Sequence, residues 1–440
     1  MKRTGIFLSL MLFVLVGVQA QMNKIEFEEY TLDNGLHVIL HQDKSTPIVT
    51  VSVMYHVGSK NENPNRTGFA HFFEHLLFEG SENIERGQFD KYIQNAGGFN
   101  NANTTHDRTY YYEVMASNHL ATGLWLESER MLHAKVENKG IETQRQVVKE
   151  ERRQRIDNQP YMTFMEQTFK RAYKKHPYRW SVIGSMDHLD AAQEKDYKSF
   201  YKTFYVPNNA VLSIAGDIDM KETKMLIDKY FKGIPRGGKI PRPTVVEPPL
   251  MGEIRDTIYD NVQLPGVFQA YRIPAQGTDE YYAVDMLGKL MTNGQSSRLY
   301  RSLVDDQQKA LVILNFPFEM ENPGLSYVIG LANMGIDPMD LEKAIDAEIK
   351  KVQTDLITDA EFQKLRNQIE NDFVNSNASI AGRAESLANY HMYFGDANLI
   401  NNEIDRYLSV TKEDLRNAAK KYFTPSNRVV LYYLAKPTQP

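Results

Sequence analysis

Asp196-Tyr197-Lys198-Ser199-Phe200-Tyr201-Lys202-Thr203-Phe204-Tyr205-Val206-Pro207-Asn208-Asn209 runs into Ala210-Val211-Leu212-Ser213-Ile214-Ala215-Gly216, and the pattern returns near the C-terminus. There Asp414-Leu415 leads to Tyr422-Phe423-Thr424-Pro425-Ser426-Asn427, followed by Arg428-Val429-Val430-Leu431-Tyr432-Tyr433-Leu434. Each copy reads as a helix opened at Asp, a proline eleven residues on, an asparagine two later, and then an apolar strand. Two copies 218 residues apart imply a duplicated α+β unit. The alternative is chance recurrence of a common helix-to-strand turn.

The chain has 440 residues, which is long for one ordinary domain and suits two of about 200. Between the copies lies Pro235-Arg236-Gly237-Gly238-Lys239-Ile240-Pro241-Arg242-Pro243, with Pro248-Pro249 soon after. Proline and glycine at this density read as an extended linker. The expected division is a leader at 1–20, a first unit at 21–235, a linker at 236–250 and a second unit at 251–440.

The leader is read from a basic Met1-Lys2-Arg3, an apolar run from Phe7 to Val18, and the small-x-small ending Val18-Gln19-Ala20. Export with cleavage before Gln21 is expected, to the periplasm or beyond, with no membrane attachment afterwards. An uncleaved anchor is the alternative. The absence of cysteine excludes disulfides, thiolate metal ligands and a lipid-bearing cysteine. Any metal must therefore be held by histidine and carboxylate. A net charge of -5 and no Lys/Arg stripe among aromatics argue against nucleic acid as a partner.

Within the first unit, residues 26–40 alternate around Asp33-Asn34-Gly35 and predict a hairpin. Pro47 to Tyr55 predicts a buried strand. A helix is expected from Arg86 to Asn95, and strands through Phe99–Thr105 and Thr109–Val114, which are rich in Tyr and Thr. Further helices are expected at 117–138 and 141–156. In the second unit, Val267 to Ile273 predicts a strand, Asp279 to Met291 a helix, and another helix runs into Asp305-Asp306. His391 is the only histidine of that unit, and a lone histidine reads as structural.

The chemistry concentrates in Thr67-Gly68-Phe69-Ala70-His71-Phe72-Phe73-Glu74-His75-Leu76-Leu77-Phe78-Glu79-Gly80-Ser81. Histidines four residues apart on a helix share one face, and Glu74 stands beside them. This arrangement suits two imidazole ligands to zinc and a carboxylate base for the attacking water. A satisfied histidine pair on a core helix is the alternative, since Phe72, Phe73, Leu76 and Leu77 mark a buried face. Two histidines leave a hydrolytic zinc one protein ligand short, and spacing alone does not choose among the carboxylates. The run Glu142 to Arg153, taken alone, reads as a solvated charged face.

The H-x-x-E-H motif with its following Phe78-Glu79-Gly80-Ser81 resembles the insulinase/pitrilysin family of zinc peptidases. The resemblance extends to Asn101-Ala102-Asn103-Thr104, to Val147-Val148-Lys149-Glu150-Glu151, to Ser297-Arg298-Leu299-Tyr300 and to the duplication, so it covers nearly the whole mature chain. It implies an α+β fold of two homologous α/β-layer domains, each a mainly antiparallel sheet covered by helices, forming half of a clamshell. The size is similar to the branch that includes mitochondrial processing peptidases and bacterial homologues, in which two chains complete one chamber.

The family implies one zinc per chain, held by His71, His75 and a distant glutamate, with Glu74 as the catalytic base. Glu151 lies 76 and Glu150 lies 75 residues beyond His75, both at the family's spacing. Matching Val147-Val148 to the family's apolar pair selects Glu151 and leaves Glu150 as the fallback. The family's substrate strand maps to Asn101, Ala102 and Asn103, where an extended peptide would add to a sheet edge.

Three positions depart from the family. A glutamate that assists the site seven residues before the third ligand is replaced by Gln144. An arginine and a tyrosine that hold the substrate carbonyl map to Val304 and Leu311, which donate no hydrogen bonds. The expected partner is therefore a paralogous subunit that brings Arg and Tyr, with a second copy of this chain as the alternative. A zinc endopeptidase of short or unfolded polypeptides is the leading expectation. A non-catalytic assembly subunit or peptide-binding module competes with it.

Overall fold

The computed structural model describes residues 24–437; the leader and its cleavage position lie outside them. The first part of the chain carries strands β1 (Glu28–Thr31), β2 (His37–Gln42), β3 (Ile48–Tyr55), β4 (Phe99–Thr104), β5 (Thr109–Ala116) and β6 (Ala210–Gly216). Its helices are α1 (Phe69–Leu76), α2 (Phe89–Asn95), α3 (Leu120–Leu132), α4 (Asn138–Arg152), α5 (Phe164–Ala172), α6 (Met186–Ala191), α7 (Glu194–Phe204) and α8 (Met220–Phe231). The second part carries β7 (Ile254–Asp260), β8 (Gly266–Arg272), β9 (Ala310–Pro317), β10 (Leu325–Ala332) and β11 (Arg428–Ala435). Helices α9 (Asp279–Thr292), α10 (Pro338–Thr354), α11 (Asp359–Ser376), α12 (Ile380–Phe394), α13 (Leu399–Ser409) and α14 (Lys412–Tyr422) complete it.

The sheets run β1-β2-β6-β3-β5-β4 and β7-β11-β8-β10-β9. Every pairing is antiparallel except β2 with β6 and β7 with β11, so the parallel pair occupies the same place in each. Leaving out β1, one order maps onto the other strand for strand. The duplication legible in the sequence is thus a duplication of structure. The repeated turn also works identically in both copies. Asn209 donates to Phe204 O at 2.8 Å and Asn427 to Tyr422 O at 2.8 Å, each closing a helix end against the next strand. Both helices open with capping boxes, Gln193 with Asp196 and Thr411 with Asp414.

Period-2 alternation gives each sheet two apolar faces. In β3 and β6, Val49, Val51, Val53, Leu212 and Ile214 face one core, while Met54 and Val211 face another. That second core is completed by Leu387 and Ala388 of α12, a helix from the far end of the chain. The exchange is reciprocal: Phe164, Phe169 and Ala172 of α5 pack on Phe268, Ala270, Leu431 and Tyr433 of the second sheet. Each sheet is therefore covered on one face by a helix from the other half.

Residues between α8 and β7 form no regular element but are pinned. The Glu247 carboxylate accepts the backbone N–H groups of Lys174, Lys175 and His176 at 2.7–2.8 Å. Two helix boundaries differ from expectation. Helix α2 starts at Phe89 rather than Arg86, because Gly87 stands at φ +75° and interrupts helical backbone. The break between α3 and α4 falls at 133–137, and Gly140 lies inside α4, where a Cβ would stand 3.3 Å from Leu76 Cδ1. The missing side chain lets α4 lie close against α1.

Candidate active site

Helix α1 is fixed at both ends and along one face. It begins after Gly68, whose φ of +93° and close approach to Ile183 O leave no room for a side chain. The carboxylate of Glu62 accepts the N–H groups of Gly68 and Ala70, both at 2.8 Å. It thereby satisfies two of the donors a helix start leaves open. Burial pushes the Glu62 carboxyl up to about 8 against the pull of those amides. Phe69 stacks on Tyr197 at 4.6 Å and Phe73 on Phe200 at 5.6 Å, while Tyr111 donates to Phe73 O at 2.8 Å. With that face buried, His71, Glu74 and His75 present the other.

Helix α4 runs beside α1 and ends in a π-helical turn over Arg153–Asp157, a local widening often found at functional positions. Glu151 projects toward the histidines: its Oε2 lies 3.1 Å from His75 Nε2 and 3.5 Å from His71 Nε2. Glu150 points outward to Arg153 and Gln154. The run is thus solvated at Glu142 and Glu150, while Arg145 is buried against Leu189 and Ala192 and Glu151 faces the histidines. Residues i, i+4 and i+7 of α4 share a face, and Gln144, Val148 and Glu151 all turn toward α1. Gln144 donates to Glu79, which also pairs with Arg86. Val148 is buried, whereas its neighbour Val147 is 42% exposed.

Ligand atoms of His71, His75 and Glu151 all lie within 4.8 Å of one another. Ligands about 2.1 Å from a tetrahedral zinc stand about 3.4 Å apart, which the two carboxylate–imidazole distances match. Glu151 Oε2 is buried without a well-aligned hydrogen bond, the condition a cation would relieve. Burial, aided by His75, lowers His71 to about 4 and keeps the imidazole neutral, as a metal ligand must be. His75 holds the Glu151 carboxylate below its usual range against desolvation. Arg155 grips the other oxygen, Oε1, at 2.6 Å, leaving Oε2 to face the histidines. The donor set fits zinc.

Glu74 lies beside this cluster. Burial raises its carboxyl, and the Thr104 hydroxyl, donating at 2.6 Å, pulls it back toward the ionised form. Thr104 closes β4, the strand carrying Asn101, Ala102 and Asn103. This strand pairs only with β5 and leaves its outer edge without a neighbour in the sheet. Asn103 accepts from Arg108, and Asn101 Oδ1 from the N–H of Ala102. Val304 is half-buried against the second core, and Leu311 is 54% exposed on β9. Glu62, Thr104 and Arg155 were not singled out by the sequence. Thr104 stood in the family-like Asn101-Ala102-Asn103-Thr104 and Arg155 one turn beyond Glu151, so each carried a signal that could have drawn attention.

A family description given as insulinase (peptidase family M16) matches residues 37–185, and one given as peptidase M16 inactive domain matches residues 192–369. The zinc protease PqqE of Helicobacter pylori is 31% identical over 438 residues, covering 97% of each chain. The uncharacterized zinc protease YmxG of Bacillus subtilis is 21% identical and covers 92% of this chain and 97% of its own. The crystal structure of a protease from Helicobacter pylori superimposes with a TM-score of 0.89 at 31% identity, covering 94% of this chain and all of that one.

Proposed function

The chain belongs to the insulinase family of zinc metallopeptidases, and from that premise we propose that it is an exported endopeptidase acting on short or unfolded polypeptides. The observation that carries this reading is the convergence of His71, His75 and Glu151, with Glu74 alongside, next to an unpartnered sheet edge. His71, His75 and Glu151 would hold one zinc, which when bound supplies Lewis acidity for the scissile carbonyl and for the attacking water. Glu74 takes a proton from that water and returns it to the leaving amine. Thr104 keeps Glu74 aimed and ionised, and Arg155 keeps Glu151 turned inward. The edge of β4 at Asn101, Ala102 and Asn103 receives the substrate as an added strand, which selects for extended backbone more than for sequence. Export is supported by the leader-like residues 1–20.

Val304 and Leu311 offer no donor for the substrate carbonyl, so the active unit is completed by a paralogous chain that brings Arg and Tyr. The lone chain, purified and verified as monomer or homodimer, should bind zinc yet cleave an unstructured quenched peptide slowly. Adding the co-purifying partner should raise the rate about 100-fold or more, the share expected of carbonyl stabilisation. Full activity of the lone chain would contradict the two-chain arrangement. Zinc binding with no turnover even beside the partner would favour a non-catalytic role, the reading that Val304 and Leu311 otherwise support.

A further inference from the structure

A second cluster with metal-ligating chemistry lies away from the motif. We propose that Glu29, His37 and His391 form a separate binding site for zinc or a similar divalent transition-metal ion, clipping α12 to the outer strands of the first sheet. The hairpin assembles two of the donors. Thr31 pairs directly with His37, and Glu29 lies two residues back along β1, so all three side chains share one face. Helix α12 brings His391 onto that face from the other half of the chain.

Glu29 Oε2 lies 3.0 Å from His37 Nε2 and 3.6 Å from His391 Nδ1, and the three ligand atoms fall within 4.8 Å of one another. These spacings bracket the ligand–ligand separation of about 3.4 Å around tetrahedral zinc and resemble those of the motif cluster. His391 Nδ1 is buried and has no hydrogen-bond partner among the described residues, although a carboxylate stands beside it. Thr31 Oγ1 lies 3.0 Å from His37 Nδ1, placed to accept its N–H when Nε2 gives up its proton to bind an ion. Metal-ligating histidines give their other ring N–H to an oxygen acceptor, and the Thr31 hydroxyl supplies an oxygen in that position.

The two imidazoles stack at 3.4 Å with planes 7° apart. Their lone pairs therefore run side by side rather than toward one point, so sharing one ion requires His391 to turn about its Cβ–Cγ bond and out of the stack. The Glu29 side chain is 40% exposed, so water can complete the coordination. Two imidazoles and one carboxylate favour zinc and its neighbours over calcium or magnesium, which require mostly oxygen. A bound ion would join residues 29 and 37 to residue 391, across the exchanged helix, and so stabilise the folded chain.

The test is zinc content after loading and desalting, together with thermal unfolding, on the full chain. The parent should retain two equivalents. His391→Phe, which keeps the stack but removes the donor, and Glu29→Gln, at an exposed position, should each retain one, with peptide cleavage unchanged. A His71→Ala/His75→Ala chain should still bind one equivalent and gain about 2 °C or more in Tm with zinc. Adding His391→Phe to it should abolish that gain. One equivalent in the parent, or two in both single variants, would overturn the proposal.

Discussion

At the scale of the residue, Glu150 and Glu151 show what a spacing leaves undecided. Neighbouring positions on a helix point about 100° apart, so one carboxylate meets the histidines and the other meets solvent. Replacement should separate them sharply. Glu151→Gln should weaken zinc binding by about 100-fold or more in a chelator competition, since a neutral amide replaces a charged ligand. Glu150→Gln should leave it within about twofold, as an exposed pair with Arg153 contributes little. Equal losses in the two variants would mean that the coordination has been misassigned.

At the scale of the element, α1 is a short helix that depends on its surroundings more than on its own propensity. Its two N-terminal donors rest on Glu62, six residues before Gly68. No local capping pattern announces that contact, because the carboxylate reaches back from a loop. Glu62→Ala should destabilise the fold by about 2 kcal/mol or more, the size expected for two hydrogen bonds to a buried carboxylate. A lowered denaturation midpoint together with weakened zinc binding would show that the cap positions the motif. A midpoint that does not move would show that it does not. The motif, its helix and strand β4 were legible in the sequence, because ligand spacing and Tyr- and Thr-rich composition are local signals, whereas the place of β4 at an edge was implied only by the family resemblance.

At the scale of the molecule, the duplication was legible and the exchange of helices was not. The turn at Pro207-Asn208-Asn209 and its counterpart at Pro425-Ser426-Asn427 repeat because both must close a helix against a strand, and that need is written locally. Helices α5 and α12 are apolar on one face like any surface helix, and nothing in their periodicity says which sheet they cover. The histidine at 391 read as structural for the same reason: its neighbours His37 and Glu29 are distant in sequence.

The halves are also joined by a buried ionic cluster. Lys60 pairs with Asp107 at 2.8 Å and with Glu321, and His56 holds Glu321 at 2.8 Å. Burial alone would raise the Glu321 carboxyl, but His56 and Lys60 outweigh it and bring it down to about 2 from its ordinary 4.5. A carboxylate lowered in the folded state stabilises fully above its unfolded value and loses that contribution as pH falls. The window is therefore from 4.5 down through about 2. Solvent reaches 33% of the side chain, so the contribution is on the order of 1–2 kcal/mol. Glu321→Gln should lower the unfolding free energy from urea denaturation at pH 7 by that amount and narrow the gap from the parent near pH 3. A gap that stays constant across this range would contradict the assignment.

The most direct test of the central claim is the peptide-cleavage rate of Glu74→Gln, assayed with zinc loaded and with whatever partner co-purifies. The variant should retain zinc in the motif site while the rate falls about 100- to 10,000-fold, the range of general acid–base catalysis. A variant that cleaves as fast as the parent would contradict it.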